Sequence, residues 1–312
     1  MGGTWTHTLL PTGDYDLAMT LKSGQAFRWT LQKAGWEGVI GRRWVRLRQE
    51  PHGIRAETAS PVRDWAWLDH YLQSAVDLAA VVRSFPDDAP MRAAVAACRG
   101  LRLLRQEPWE CLASFILSST KQIVQIQQII VGLCRQFGDP VAVPPGHEPA
   151  HSFPSAGRIA QATETDLRAC KMGFRAPNLL RTARTVAHGE LDLDGLRTRS
   201  VEAARAELVR LPGVGPKIAD CVLLFAYGFQ QAFPVDVWVT KALRQLYFPG
   251  RAPGAKRLRE FTQSHFGPCA GYAQQYLFCY MRSRATPGPW SAGPITISGR
   301  HETAPVDGDQ RL

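Results

Sequence analysis

A short glycine-rich turn followed by a lysine is the feature that most restricts how this chain can fold. The residues Leu211-Pro212-Gly213-Val214-Gly215-Pro216-Lys217 predict a helical hairpin over about residues 200–228. Gly213 and Gly215 permit unusual φ angles and close backbone approach, and the amides that open the second helix point outward. Such a turn can bind a phosphate group, although an ordinary helix–helix turn has a similar pattern. Further along, Val235-Asp236-Val237 places a carboxylate where another helix should begin.

The composition favours a polyanionic partner. The 312 residues carry a formal net charge of +10, with a pI of about 9.5, and neutralising phosphates releases counterions. Hydrophobic residues make up 45% of the chain, enough for one large domain or two to three modest ones. No apolar run approaches the ~20 residues of a membrane helix, and no secretory signal pattern opens the chain. We therefore expect an intracellular protein that does not enter membranes.

The seven cysteines are scattered and include no Cys-x-x-Cys pair. They predict neither a zinc site nor an iron–sulfur cluster, and their odd number does not fit a complete disulfide framework. Most should be small buried hydrophobes in a reducing compartment. No metal site is predicted.

Hydrophobic periodicity divides the chain into a strand-rich and a helix-rich part. Residues 27–58 alternate between turn signals, which predicts an antiparallel meander, and from about residue 62 the period is helical. Residues 140–155 are rich in proline and predict a loop. The predicted helices begin at Pro108 and at Thr163, and otherwise cover 123–137, 177–188, 200–210, 215–228, 236–247, 254–266 and 270–283. We predict a sheet domain over 1–92, a helical body over 93–284 and a disordered tail over 285–312.

An ordered set of motifs resembles the 8-oxoguanine DNA glycosylase/lyases of the helix-hairpin-helix (HhH-GPD) superfamily. Besides the hairpin and Val235-Asp236-Val237, the set comprises Ser23–Trp29, Arg102–Gln106, Cys111–Ile116, Gly173–Ala176 and Gly267–Gln274, and the resemblance spans roughly residues 15–283. It implies a mainly α, α+β fold in which an N-terminal antiparallel sheet domain, like that of the TATA-binding protein, packs on a helical body. It also implies a monomeric enzyme that needs no cofactor and binds damaged double-stranded DNA.

The resemblance assigns catalysis to Lys217 and Asp236. Lys217 would attack C1′ of the damaged nucleotide, displace the base and form a Schiff base, after which β-elimination cuts the strand. A free lysine has a pKa of about 10.4, but partial burial and the positive end of a helix dipole favour the neutral nucleophile. Asp236 would stabilise positive charge on the sugar. The alternatives are a lysine that only binds phosphate and an aspartate that only caps a helix.

Four residues would form the pocket for the extruded base. By resemblance, Cys221 and Phe278 pack against its two faces, and the Gln274 amide hydrogen-bonds its Watson–Crick edge. The Gly24 carbonyl would accept the N7 hydrogen of 8-oxoguanine, whereas normal guanine has an acceptor at N7. Gly24 is otherwise a plain turn glycine. Gly213, Val214 and Gly215 would bind the DNA phosphate through their amides.

The residues that should face the opposite base depart from the family pattern. Thr120 matches an asparagine that fills the gap left by the flipped base, Gln125 matches an arginine that contacts the unpaired cytosine, and Phe174 matches a wedging tyrosine. Arg175 retains a cytosine-contacting residue. A histidine in some members is replaced by Trp238, which changes a phosphate contact. We expect a relaxed preference for the opposite base.

Two alternative functions remain open on the sequence. An alkylated-base glycosylase of the same superfamily usually lacks the hairpin lysine, and a DNA-binding hairpin module needs neither Lys217 nor Asp236. Adenine and pyrimidine-lesion glycosylases commonly hold a four-cysteine cluster, whereas only Cys269 and Cys279 lie near the C-terminus. The expected compartment is the bacterial cytoplasm (nucleoid) or the eukaryotic nucleus.

Overall fold

The structure is a computed structural model that describes residues 5–119, 122–251 and 253–285. Its strands are β1 (Thr6–Pro11), β2 (Thr30–Gln32), β3 (Gly35–Ile40), β4 (Arg43–Glu50), β5 (Gly53–Thr58), β6 (Pro140–Val141) and β7 (Ala150–His151). Its α-helices are α1 (Leu17–Lys22), α2 (Ala66–Leu72), α3 (Leu78–Arg83), α4 (Ala89–Ala97), α5 (Pro108–Leu117), α6 (Ile123–Phe137), α7 (Ala156–Ala160), α8 (Glu164–Ala169), α9 (Ala176–Ala187), α10 (Val201–Val209), α11 (Pro216–Val222), α12 (Val237–Ala242), α13 (Ala255–His265) and α14 (Ala270–Ala285).

The first five strands form one antiparallel sheet in the order β1-β5-β4-β3-β2. One face of β4 buries Val45 and Leu47, while Arg46 lies between Glu37 of β3 and Glu57 of β5, with N···O distances of 2.7 and 3.3 Å. This alternation is what a sheet with one apolar face requires. The predicted meander is confirmed, and β1 adds an edge strand that the meander did not include.

The start of the predicted meander was wrong. Phe27 and Trp29 are buried but precede β2, and the Phe27 ring packs edge-on against Phe115 at 5.5 Å between centroids. These aromatic residues therefore join the sheet to the helical body. The predicted loop over 140–155 also contains the short β6–β7 pair.

Local sequence signals place the helices well. Pro108 opens α5, α6 has the predicted bounds, and Thr163 forms a capping box with Asp166 at the start of α8. Two predicted helices instead end in π-helical turns, Leu223–Tyr227 after α11 and Leu243–Tyr247 after α12. No helix in the described part of the chain is both long and apolar enough to span a membrane.

Buried side chains form two clusters. The sheet cluster includes Leu47, Ile54 and Leu104, and the body cluster includes Leu112, Leu223 and other helical residues. The Ser23–Trp29 segment connects the two clusters, because Phe27 belongs to the body cluster and Trp29 to the sheet cluster. Gly24, which is predicted to bind the base, lies in this segment. The predicted domain bounds stay a prediction, and the predicted tail over 285–312 lies outside the described residues except for Ala285, the last residue of α14.

Candidate active site

The hairpin consists of α10, a tight turn and α11. Gly213 has φ +77°, and a Cβ there would lie 2.5 Å from Asn178 Nδ2, so this position requires glycine. Val214 is buried and donates its backbone N–H to the Leu211 carbonyl at 3.1 Å. Gly215 has φ −92°, an ordinary extended value, and an added Cβ would meet nothing within 4 Å. Gly215 therefore does not use the unusual φ that glycine permits, and its open side leaves the backbone accessible.

Lys217 lies in the first turn of α11 and is half-buried. Its Nζ lies 5.2 Å from the centroid of the Phe115 ring. Cys221 follows one turn later on the same face. Burial raises the pKa of the Cys221 thiol to about 11, and the charge and hydrogen bond of Lys217 partly offset that rise. The amine thus lies against a buried thiol and an aromatic ring.

Asp236 is the N-cap of α12 and accepts a hydrogen bond from Val239 N at 2.8 Å. Burial raises the pKa of its carboxyl, while hydrogen bonds from Val239 and Trp238 and the charges of Lys217 and Arg282 act to lower it. Capping is confirmed, and the carboxylate also lies within electrostatic reach of the Lys217 amine. One residue can therefore hold the helix and face a developing cation.

Gly24 lies beside Phe278. A Cβ on Gly24 would lie 3.6 Å from Phe278 Cε1, 3.5 Å from Arg282 Nη1 and 3.3 Å from Ile123 Cδ1, and φ is +78°. The structure therefore brings Gly24 and Phe278 together, as the resemblance implied. Arg282 is a neighbour that the sequence did not predict.

A buried amide network fixes the backbone around Gly24. The Gln25 side chain donates to the carbonyl of Arg102 at 2.8 Å and accepts from Leu104 N at 2.7 Å. On the other side, Gln275 Nε2 donates to the Ser23 carbonyl at 2.9 Å. The Ser23–Trp29 motif contained Gln25, but sequence reasoning gave it no role, because a buried glutamine has no characteristic spacing.

Gln274 lies one helical turn before Phe278 on α14. The side chain is 3% exposed, and Oε1 is buried without a hydrogen-bond partner among the described residues. A buried amide oxygen without a partner is costly, so such an atom indicates a site for an absent donor. The amino and imino groups on the Watson–Crick edge of a guanine are donors of this kind.

The residues predicted to face the opposite base are placed differently from one another. Phe174 is 61% exposed, as a wedge requires. Arg175 is buried, its guanidinium lies 4.2 Å from the Phe174 ring centroid, and it donates to the backbone carbonyls of Ser119 and Met172. Gln125 Oε1 accepts from Gln122 N at 3.2 Å, at the start of α6. Thr120 lies outside the described residues.

Trp238 packs its ring on the body cluster, and Lys241 Nζ lies 5.6 Å from the ring centroid.

The catalytic candidates do not line the cavity of about 560 Å³ between Trp109, Phe137 and Arg158. The site is instead defined by chemistry: an amine, a carboxylate and an unpaired amide oxygen close to an aromatic ring.

Comparison with known proteins identifies the family of the chain. Residues 8–112 match the family model of the 8-oxoguanine DNA glycosylase N-terminal domain, and residues 113–268 match that of the HhH-GPD superfamily base excision DNA repair proteins. The chain belongs to the HhH-GPD superfamily. The resemblance seen in its motifs is confirmed, and so is the predicted fold class.

Individual relatives cover most of the chain. The probable N-glycosylase/DNA lyase of Methanothermobacter thermautotrophicus is 30% identical over 88% of this HhH-GPD chain and 95% of its own length. N-glycosylase/DNA lyase OGG1 of Arabidopsis thaliana is 33% identical over 88% of this chain and 79% of its own. A Clostridium acetobutylicum 8-oxoguanine glycosylase/lyase, solved with double-stranded DNA containing cytosine opposite 8-oxoG, has a TM-score of 0.82 at 29% identity, covering 89% and 99% of the two chains.

Proposed function

We propose that this chain, a DNA N-glycosylase with lyase activity at abasic sites, excises 8-oxoguanine from duplex DNA through a Schiff base on Lys217. The observation that carries the proposal is the position of the half-buried Lys217 amine, 5.2 Å from the Phe115 ring centroid, beside the Cys221 thiol and within electrostatic reach of the Asp236 carboxylate. Arg282, which acts on Asp236, also contacts the base-pocket residues Gly24 and Phe278. Amine, carboxylate and base pocket therefore belong to one site.

The reaction begins with loss of a proton from Lys217. The Nζ lone pair then forms a bond to C1′, and the C1′–N9 pair leaves with the base. Asp236, whose neighbouring donors and charges partly offset the effect of burial on its pKa, stabilises the oxocarbenium character of the sugar through its carboxylate. Nζ then passes a proton to O4′ as the C1′–O4′ bond breaks, so the sugar opens and the C1′=N bond of the Schiff base forms. Loss of a C2′ proton then expels the 3′ phosphate oxygen and cuts the strand.

Recognition of the base follows from the pocket. The Gly24 carbonyl accepts the N7 hydrogen that distinguishes 8-oxoguanine from guanine, and the Gln25 and Gln275 bonds hold that carbonyl's backbone in place. Gln274 Oε1 accepts from the Watson–Crick edge. Phe278 and Cys221 enclose the two faces.

The preference for the opposite base is relaxed in this proposal. The Gln125 side chain already bonds within α6, and Arg175 is buried and bonded to two carbonyls. Each lost base contact is worth roughly 1–3 kcal/mol of discrimination. Excision rates opposite each of the four bases test this: they should differ by less than about tenfold. A strong preference for cytosine would contradict it.

The partner is double-stranded DNA, bound as a monomer in the compartment that holds the genome. The hairpin backbone at Gly213 and Gly215 contacts the phosphates, whereas the buried Val214 N–H already donates to the Leu211 carbonyl and braces the turn. The net charge of +10 makes affinity salt-dependent.

Borohydride trapping tests the function. Wild-type protein should form a covalent adduct with a duplex containing 8-oxoguanine, and Lys217→Ala should form none. Lys256→Ala is the matched control, because Lys256 is an exposed lysine of α13. An alkylated-base glycosylase would release 3-methyladenine without an adduct, and a binding module would shift the DNA without reaction. An adduct that survives in Lys217→Ala would refute the assignment.

A further inference from the structure

Arg282 is a charged residue in the base pocket to which the proposed reaction gives no role. Its guanidinium carbon lies 5.3 Å from the Phe278 ring centroid, and its Nη1 is a near neighbour of Gly24. Its charge also acts on Asp236. Burial among the base-binding residues carries a desolvation cost for a guanidinium, and this placement therefore calls for an explanation.

The position of Arg282 on α14 shows what it can reach. Gln274, Phe278 and Arg282 are spaced four residues apart, so they form one row along the helix, about 5.4 Å per turn. If a purine stacks on Phe278 with its Watson–Crick edge toward Gln274, its five-membered ring points the other way along the row. That end carries N7, C8 and N9, and it lies on the side of Arg282.

Gly24 gives a second constraint on the same end of the base. Its backbone carbonyl is the predicted acceptor for N7–H. Arg282 Nη1 would lie 3.5 Å from a Cβ placed on Gly24, which is an ordinary van der Waals distance. In 8-oxoguanine the atom next to N7 on the outer edge is C8 with its oxygen. A donor beside the N7 acceptor is therefore placed to meet that oxygen.

We propose that Arg282 donates to the C8 oxygen of the extruded base and stabilises the negative charge that this oxygen takes up when the base leaves. This inference rests on the proposed function. When Lys217 Nζ bonds to C1′, the electron pair of the C1′–N9 bond passes to N9 and, through C8, to the oxygen. A guanidinium hydrogen bond to that oxygen is stronger in the transition state than in the bound substrate, which is the condition for catalysis.

The two activities of the enzyme separate this role from a structural one. A preformed abasic site still needs Lys217 and Asp236 but has no base. Arg282→Met should lower the single-turnover rate of 8-oxoguanine excision by about 100-fold, with strand cleavage at a preformed abasic site changed by less than about twofold. Arg282→Lys keeps a point charge but lacks the planar fork, so its excision rate should lie between those of Arg282→Met and the wild type.

Arg284→Met is the matched control. Arg284 lies on the same helix over the ring of Tyr280 at 5.4 Å, and it is exposed, so this variant removes an equal charge outside the pocket. Both of its activities should stay at the wild-type level. Thermal unfolding of all three variants shows whether each is folded.

A pH profile of both reactions distinguishes the proposed role from an effect through Asp236. Loss of Arg282 removes one influence that lowers the Asp236 pKa, which would move the acidic limb of both reactions to higher pH. The proposed role instead lowers the high-pH plateau of base excision alone. Equal plateau losses in both reactions, or no loss in excision, would overturn the inference, whereas a wild-type enzyme that neither traps nor excises would overturn the proposed function.

Discussion

Replacing Gly24 with alanine separates base recognition from backbone strain. Gly24 has φ +78°, and a left-handed conformation costs a non-glycine residue about 1–2 kcal/mol. Gly146 is a matched control, because its φ is +79° and an added Cβ would meet nothing within 4 Å. Both variants should therefore lose about 1–2 kcal/mol of unfolding free energy, measured by urea denaturation.

Only the Gly24 variant should change the chemistry. Its Cβ would lie 3.3 Å from Ile123 Cδ1, so the Ile123 side chain or the Gly24 segment must give by a few tenths of an ångström. Loss of the hydrogen bond to N7–H, worth about 1–3 kcal/mol, lowers single-turnover excision roughly 5- to 150-fold. Cleavage of a preformed abasic site should be unchanged. If Gly24→Ala excises 8-oxoguanine as fast as Gly146→Ala does, the Gly24 carbonyl does not select the lesion.

Two further variants probe the carboxylate and the amide network. The pKa of Asp236 is raised, chiefly by burial. Between the unfolded pKa of about 3.9 and the folded pKa, the folded state therefore holds a proton that the unfolded chain has lost. The contribution of Asp236 to stability falls as the pH rises through this range. Asp236→Asn, which keeps a good N-cap, should therefore match or exceed the wild-type Tm at pH 8 while losing excision; a clear fall in Tm would contradict the sign. Gln25→Leu leaves Leu104 N–H and the Arg102 carbonyl without their partner, which should cost about 2–5 kcal/mol in urea denaturation. Gln32→Leu, at an exposed position of β2, should cost little, and equal losses in both would show that the network does not support the fold.

Periodicity predicted the elements whose burial follows from local sequence. The bounds of α6 and the capping box of α8 were found because an apolar stripe and a cap residue are local signals. β1 was missed because its partner, β5, is distant in sequence and only its Leu10 is buried. Phe27 and Trp29 have the composition of a strand, but tertiary packing of Phe27 against α5 and of Trp29 against Tyr71 of α2 decides their conformation.

The candidate site shows the same limit. Lys217, Asp236, Gly24 and Phe278 were identified through motifs. In the structure Lys217 and Arg282 both act electrostatically on Asp236, and Arg282 also lies beside Gly24 and Phe278. Arg282 itself is a helical arginine near the end of α14, and its sequence position gives no sign that it faces a pocket. Only the crossing of α14 over the Gly24 segment makes it part of the site.

The Gly24 segment couples selectivity to the stability of the whole fold. Gln25 hydrogen-bonds to residues 102 and 104 of the Arg102–Gln106 segment, and Gln275 of α14 hydrogen-bonds to Ser23. Leu104 of the Arg102–Gln106 segment lies in the sheet cluster. A carbonyl that must repel one base and accept from another needs a fixed position, because an error of a few tenths of an ångström weakens a hydrogen bond. Side-chain amides supply that rigidity where no regular strand or helix exists. Gly24 is therefore held through the sheet cluster and not by α11 and α12 alone. Mutations in the sheet cluster should reduce the selectivity for 8-oxoguanine over guanine before they unfold the protein.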